Sequence, residues 1–276
     1  MRGQAGKRRK FSGILILLLM AIGISTAARA QPVTGDQRLM MLQNFLEDGA
    51  LIRSTWLEIR GEHADWGDGG TDAAALGVMI FDVADKVELG GTFGYRDQER
   101  SEDQVLFGER LSSDISDNGP ADLNLFGKLQ FKKGPNPWAA GLQIKAPVAD
   151  EKEMLGSGSW DYELFVANRR TRTRSAWIWS AAVRFNGDPE IPGAGSGQTS
   201  AALAGGMIFK LSYSWSFLAE TRYESRRYEG GHSVCSVMPT FDFRPTENLA
   251  LRLGVDFGLS DGAPNENYIF GFVFHL

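Results

Sequence analysis

The sequence predicts an all-β fold: a closed antiparallel transmembrane β-barrel of about 12 strands, preceded by a short N-terminal helix. The first observation is the C-terminal segment 266–276, where large apolar side chains alternate with smaller ones. A free apolar edge promotes aggregation in a soluble sheet, whereas a closed barrel turns this face to lipid and has no edge. An ordinary strand on a soluble core is the alternative for this segment alone. The apolar face consists of Tyr268, Phe270, Phe272, Phe274 and Leu276.

The second observation is that segments of 10–14 residues with period-two alternation recur along the chain, at the length of a tilted membrane strand. The third is that short and long connections alternate between them, as in bacterial barrels with short periplasmic turns and long external loops. The predicted strands are 51–63, 72–82, 86–97, 121–133, 137–147, 160–169, 174–186, 199–210, 214–226, 232–243, 248–259 and 266–276.

Residues 1–30 read as a secretory signal peptide. A basic start is followed by the apolar stretch 11–24 and by the small-x-small site Ala28-Arg29-Ala30. This segment carries six basic and no acidic residues, so its removal leaves 23 basic against 34 acidic residues and a formal net charge of −11. Such a charge disfavours nucleic acid as a partner. The single cysteine, Cys235, lies far from the cleavage site and leaves no residue for an N-terminal lipid anchor.

Residues 31–50 are expected to form a periplasmic segment with a short amphipathic helix at 36–48, which begins with an Asp cap. A plug inside the barrel is the alternative for this segment. The barrel itself is expected to span residues 51–276.

Strand 248–259 shows the alternation most clearly. Leucine, valine and phenylalanine occupy its odd positions, while Arg252 and Asp256 stand among small residues on its even positions. Charged groups on the lipid face cost roughly 2–4 kcal/mol near the midplane, so such residues must face the lumen. The same argument assigns to the lumen Glu88, Arg96, Lys128, Lys145, Asp161, Glu163, Arg184, Glu220, Arg222, Glu224, Arg252 and Asp256. Both signs are interspersed, so a polar conduction path and a salt-bridged filling of a narrow barrel are both open.

Outward aromatic residues cluster near the strand ends beside the short connections, as expected for a girdle at the membrane interface. This group consists of Phe131, Trp138, Trp177, Phe209, Trp215, Phe243 and Phe274. The connection 97–120 is instead expected to be a long acidic loop, which either folds into the mouth, recognises something outside or is solvated.

No pattern of residues predicts catalysis, a cofactor or a metal. His63, His232 and His275 lack metal-ligand spacing. His232 and Ser233 are adjacent, so in a strand they point to opposite faces and cannot act as a base and nucleophile pair. We therefore expect no enzymatic activity.

The stretch 119–168 contains three motifs in close succession. Asp122 stands before a strand and Lys128 within it, followed by the run Lys145-Ala146-Pro147-Val148-Ala149-Asp150 and by Gly156-Ser157-Gly158-Ser159-Trp160-Asp161. In these motifs the chain resembles the outer-membrane family named for the meta-pathway of phenol degradation. Ala146 and Val148-Ala149 depart from the family's Leu and Thr-Gly, and Leu276 departs from the terminal Phe common in barrels, although Phe272 and Phe274 are kept.

The resemblance implies an outer-membrane channel or transporter for small molecules, including hydrophobic or aromatic compounds, in a Gram-negative bacterium. The implied partners are outer-membrane lipid, a small-molecule solute and, through the C-terminal strand, the barrel assembly machinery. The alternatives are a non-conducting structural or surface barrel and, third, an outer-membrane hydrolase. The oligomeric state is not predicted.

Overall fold

The computed structural model describes residues 41, 47–67, 70–106, 109–150, 155–190 and 195–276, with the backbone alone at 100–106 and 109–115. These residues form thirteen strands. The strands are β1 (Trp56–Asp65), β2 (Thr71–Ala84), β3 (Val87–Leu106), β4 (Glu109–Pro120), β5 (Leu123–Lys132), β6 (Trp138–Ala146), β7 (Asp161–Thr171), β8 (Ser175–Phe185), β9 (Thr199–Lys210), β10 (Trp215–Glu224), β11 (Val234–Thr246), β12 (Leu249–Gly258) and β13 (Glu266–His275).

The strands close into one antiparallel barrel. β1 pairs with β2 on one side and with β13 on the other, from Trp56 opposite His275 to Asp65 opposite Glu266. Closure leaves every backbone group in the ladder with a partner strand, which a membrane-spanning sheet requires. β4 and β5 both pair with β3 and occupy one position in the wall, so the barrel has twelve strand positions. The predicted fold class is confirmed.

The stretch 97–120 is not a loop, and the structure corrects this prediction. β3 runs on beyond the barrel wall and pairs with β4 from Tyr95 opposite Pro120 to Leu106 opposite Glu109. Polar side chains do not prevent a strand when a neighbouring strand of the same hairpin satisfies its backbone hydrogen bonds.

The first strand begins at Trp56, five residues later than predicted. Arg53 has a φ of 57°, a left-handed conformation that no strand residue adopts, so the chain bends before the wall begins. Leu51 and Ile52 are buried ahead of this bend.

The signal peptide and most of the predicted helix 36–48 lie outside the described residues. Glu47 and Asp48, at the end of that predicted helix, are not helical. In the part of the chain that the structure describes, no helix is long and apolar enough to cross a membrane.

The wall has an apolar outer side and a polar inner side because successive side chains of a strand point to opposite faces. In β12, Leu253 is 55% exposed on the outside, while Arg252 is fully buried on the inside. Connections 85–86, 133–137, 172–174, 211–214 and 247–248 are short and share one rim, which we call the short-turn end. The opposite rim, with the longer connections, is the long-loop end.

Candidate functional site in the barrel interior

The twelve charged residues assigned to the lumen from the sequence all have their side chains on the inner side of the wall. Ten line internal cavities, namely Glu88, Arg96, Lys128, Lys145, Asp161, Glu163, Arg184, Arg222, Glu224 and Asp256. The other two, Glu220 and Arg252, are only 1% and 0% exposed. Their role in lining a conducting pore stays a prediction.

A chain segment, Glu47–Ile52, lies inside the barrel toward the short-turn end. Asp48 forms a buried ion pair with Arg169 of β7. The backbone N–H of Ile52 donates to Glu88 Oε2 at 2.7 Å, and Gln130 Nε2 donates to the carbonyl of Gly49 at 3.1 Å. These contacts join the segment to β3, β5 and β7, on one half of the wall.

Apolar contacts hold the same segment from the other half of the wall. Ile52 packs in a buried cluster with Trp56, Ile80, Ala250 and Val273. Met41, further toward the N-terminus, is buried against β8, β9 and β10, with Ala176, Ile178, Ile208 and Leu218 as its neighbours. Met41 and the segment Glu47–Ile52, which precede the first strand, therefore occupy the interior at the short-turn end.

A charged cluster surrounds the start of this segment. Lys128 Nζ lies 2.7 Å from Glu88 Oε1 and 4.0 Å from Glu47 Oε2. Burial raises the pKa of Glu47 to about 7, against the opposing effect of the Lys128 charge, because a carboxylate removed from water is disfavoured. Glu47 is thus a group inside the barrel that titrates near neutral pH.

A second buried network spans the wall near the end of the chain. Arg252 donates to both carboxylate oxygens of Asp242, at 3.0 and 3.1 Å, and lies 3.4 Å from Glu58 Oε1. The three side chains are at most 2% exposed. The Arg252 guanidinium therefore contacts three carboxylate oxygens, and these contacts join β1, β11 and β12.

Two cavities lie along the interior beyond the filled end. The outer cavity, about 560 Å³, is bordered by residues of the long-loop end, and the inner cavity, about 290 Å³, is bordered by Glu47, Asp48 and Ile52. Four residues line both cavities and mark the boundary between them, which we call the neck. They are Arg60, Arg222, Glu224 and Arg227. The neck has a formal charge of +2.

Ion pairs hold most of the charged groups around the neck. Arg184 bridges Glu163 of β7 and Glu224 of β10, with 2.6 Å from its Nη1 to Glu224 Oε1. Arg60 lies 3.0 Å from Glu58 Oε2 and 3.2 Å from Glu62 Oε1. Arg222 Nη2 lies 3.6 Å from Asp256 Oδ2, and its Nε donates to Ser236 Oγ at 3.0 Å. A mobile solute meets both signs of charge here.

Four of the residues that carry the family resemblance meet at the long-loop end, whereas Lys128 lies instead beside Glu88 and Glu47. Lys145 Nζ is 2.8 Å from Asp161 Oδ2 and 3.5 Å from Asp122 Oδ2, and it also donates to Ser157. Asp122 Oδ1 accepts the N–H of Ala149 at 3.2 Å. Lys145 is therefore the centre of a polar cluster that fastens the connection 147–160 to the wall, in addition to lining a small cavity.

The seven aromatic residues assigned to the membrane interface lie near strand ends at the short-turn rim. Phe131, Trp177 and Trp215 are 44–56% exposed on the outer surface. Ring contacts join Trp215 to Phe243 with centroids 4.8 Å apart, and Phe131 to Trp138 at 6.4 Å. Phe209 and Phe274 are partly exposed. Their position at a lipid–water interface stays a prediction.

Several interior residues were missed from the sequence. Glu58, Arg60 and Glu62 alternate within β1, but the predicted start of that strand was wrong and the inward Trp56 obscured the pattern. Arg227 lies in the connection after β10, where periodicity gives no signal. Asp242 follows the even-numbered inward face of β11 and could have been found by extending that alternation.

No protein-family model matches the sequence, and no curated protein matches it. Solved structures match in fold. The COG4313 outer membrane channel from Pseudomonas putida F1 is 13% identical, with a TM-score of 0.62 over 86% of this chain and 100% of that chain. The KdgM porin is 10% identical, with a TM-score of 0.54 over 80% and 99% of the two chains.

A third similar structure is the transport unit of the autotransporter AIDA-I from Escherichia coli. It is 12% identical, with a TM-score of 0.52 over 81% of this chain and 90% of that chain. At these identities the likeness concerns the fold. A closed barrel of twelve strand positions with an apolar outer side is the fold of outer-membrane proteins, and the chain is a β-barrel of the Gram-negative outer membrane.

Proposed function

We propose that the protein is an outer-membrane channel for small molecules, closed in this structure by its own segment Glu47–Ile52. The observation that carries the proposal is the pair of cavities with charged linings, which share the neck residues and lie between the long-loop end and that segment. A barrel that served only as a scaffold would have no need of two charged cavities side by side in its interior.

The solute class follows in part from the lining. The inner cavity has both signs of charge on its wall and the neck has a formal charge of +2, so polar or charged solutes fit the interior. Transport of hydrophobic or aromatic solutes is supported only by the resemblance to the phenol meta-pathway family. The similar structures include channels and a porin, which supports transport without indicating the solute.

The second candidate function is a non-conducting structural barrel. It is favoured by the dense packing at the short-turn end, where Met41 and Ile52 join apolar clusters and Arg252 forms a closed ion network. An outer-membrane hydrolase is the third candidate, and no arrangement of side chains among the described residues supports it. Outer-membrane lipid surrounds a barrel of this kind, whereas recognition of the C-terminal strand by the barrel assembly machinery stays a proposal.

Conductance of the mature protein in a planar lipid bilayer tests the proposal. We expect discrete current steps for the wild-type protein, with long closed periods that reflect the docked segment. Stable insertion without any current, in the wild-type protein and in a variant whose segment is released, would favour the structural barrel.

A further inference from the structure

On one wall of the outer cavity, two neighbouring buried oxygens of β12 and β13 lack a hydrogen-bond donor among the residues that the structure describes. Asp256 is 1% exposed, and its Oδ1 has no hydrogen-bond donor among the described residues. The buried Oδ1 of Asn267 also lacks one there. The two residues are register partners on β12 and β13, so their side chains are neighbours on the same inner surface, and both line the cavity.

Within the described residues, only one oxygen of the Asp256 carboxylate has a hydrogen-bond donor. Arg222 Nη2 lies 3.6 Å from Oδ2, beyond hydrogen-bonding range, and its Nε donates to Ser236 Oγ at 3.0 Å, while the Ser236 hydroxyl bonds to the carboxylate. A buried, ionised oxygen left without a donor is unfavourable, and a charged donor is the partner that relieves it best.

The charged residues around the cavity fall into two groups. The wall formed by β1, β2, β3, β12 and β13 carries Glu62, Asp72 and Asp256 against Arg60 and Arg96, a formal charge of −1. The side formed by β10 and the connection after it carries Arg222 and Arg227 against Glu224, a formal charge of +1. The two groups meet where Arg222 Nη2 lies 3.6 Å from Asp256 Oδ2, and their formal charges sum to zero. The feature of this wall that selects for a cation is therefore Asp256 Oδ1, which lacks a donor among the described residues.

From this geometry we propose that Asp256 and Asn267 form a subsite for the primary ammonium group of an organic solute. An ammonium group has three donors and no acceptor, so it can bond to both free oxygens and to water at once. A calcium ion needs six to eight oxygen ligands, many more than these two side chains supply. The cavity, at about 560 Å³, has the size of a small-molecule site.

The subsite deepens the proposed channel function by naming a solute class, and it rests on that function for transport but not for binding. Calorimetric titration of the mature protein in detergent measures binding without any need for current. Ethylammonium chloride is the probe, and tetramethylammonium chloride, which has the charge but no N–H donor, is the matched control at constant ionic strength.

We expect ethylammonium to bind about tenfold more tightly than tetramethylammonium, because only the former can donate to the free oxygens. Asp256→Asn should weaken ethylammonium binding about tenfold or more. Glu62→Gln is the matched variant: it removes the same charge from the same cavity, but Glu62 Oε1 already accepts a hydrogen bond from Arg60 at 3.2 Å. That variant should change binding by less than about twofold.

If the two cations bind equally, or if the two substitutions have equal effects, the cations respond to the overall charge of the cavity. Either result would overturn the subsite. Preferential binding of calcium ions would overturn it as well. Retained heat-dependent gel mobility shows that each variant is folded. Binding of ethylammonium by a protein that passes no current would support the subsite and reject the channel. Current without ethylammonium binding would support the channel and reject the subsite.

Discussion

The ion pair between Asp48 and Arg169 is the strongest single contact between the interior segment and the wall, and Asp48→Ala should release that segment. The two side chains are 3% and 2% exposed. Removing one partner of a buried ion pair typically costs about 3–5 kcal/mol, because the remaining charge is left uncompensated. Undocking of the segment lets water reach Arg169 and removes that cost, so the substitution shifts the equilibrium toward the undocked form.

The size of the shift follows from the contacts that remain. The hydrogen bond from Ile52 to Glu88 contributes roughly 1.5–3 kcal/mol as a bond to a charged group, and that from Gln130 to Gly49 contributes about 1 kcal/mol. A loss of about 3 kcal/mol is therefore comparable to the contribution of these two hydrogen bonds together. It corresponds to a more than 100-fold change in the ratio of undocked to docked segment.

Single-channel recording of the full mature protein measures this ratio as open probability. The matched control is Asp85→Ala, which breaks the exposed pair of Asp85 with Lys133 at the same rim and should leave the currents unchanged. If Asp48→Ala inserts as a folded barrel and its open probability equals that of the wild-type protein, the segment does not close the pore and the reasoning fails.

Three further predictions concern the wall, the neck and pH. Leu253→Arg, on the outer side, should lower the unfolding free energy in lipid vesicles by roughly 2–4 kcal/mol, while Ala202→Arg, which faces the inner cavity, should cost much less. Arg222→Glu lowers the formal charge of the neck from +2 to 0, so the reversal potential in a salt gradient should shift toward cation selectivity. The pKa of Glu47 is raised to about 7 when the segment is docked, from its ordinary value of 4.5. The docked form therefore binds the proton more tightly, and docking should weaken as pH rises from 4.5 to 7, with open probability reaching a plateau above 7.

Each of these has an outcome that contradicts it. Equal destabilisation by the two arginine substitutions would mean that the assigned faces are wrong. An unchanged reversal potential would place the selective region elsewhere than the neck. Glu47→Gln is the control for pH, because it keeps the side chain neutral at every pH; a pH response of the same size in this variant would assign the titration to another group.

The sequence by itself determined the wall of the barrel. Period-two alternation is a local property, since each residue's face is set by its own strand, and a run such as 248–259 therefore shows which side chains meet lipid. The cost of a charge in lipid is large enough that Arg252 and Asp256 could be assigned to the interior without any knowledge of their partners. Alternating short and long connections then implied an even number of strands and a closed sheet.

Only the tertiary structure decided what fills the interior. Asp48 meets Arg169 across 121 positions of sequence, and Arg252 meets Glu58 across 194. No periodicity connects residues so far apart, because their proximity depends on closure of the ring rather than on either strand alone. The placement of segment Glu47–Ile52 inside the barrel and the position of the neck follow from that closure. The polar cluster around Lys145 has the same origin, since its members become neighbours only when β5, β6 and β7 lie side by side.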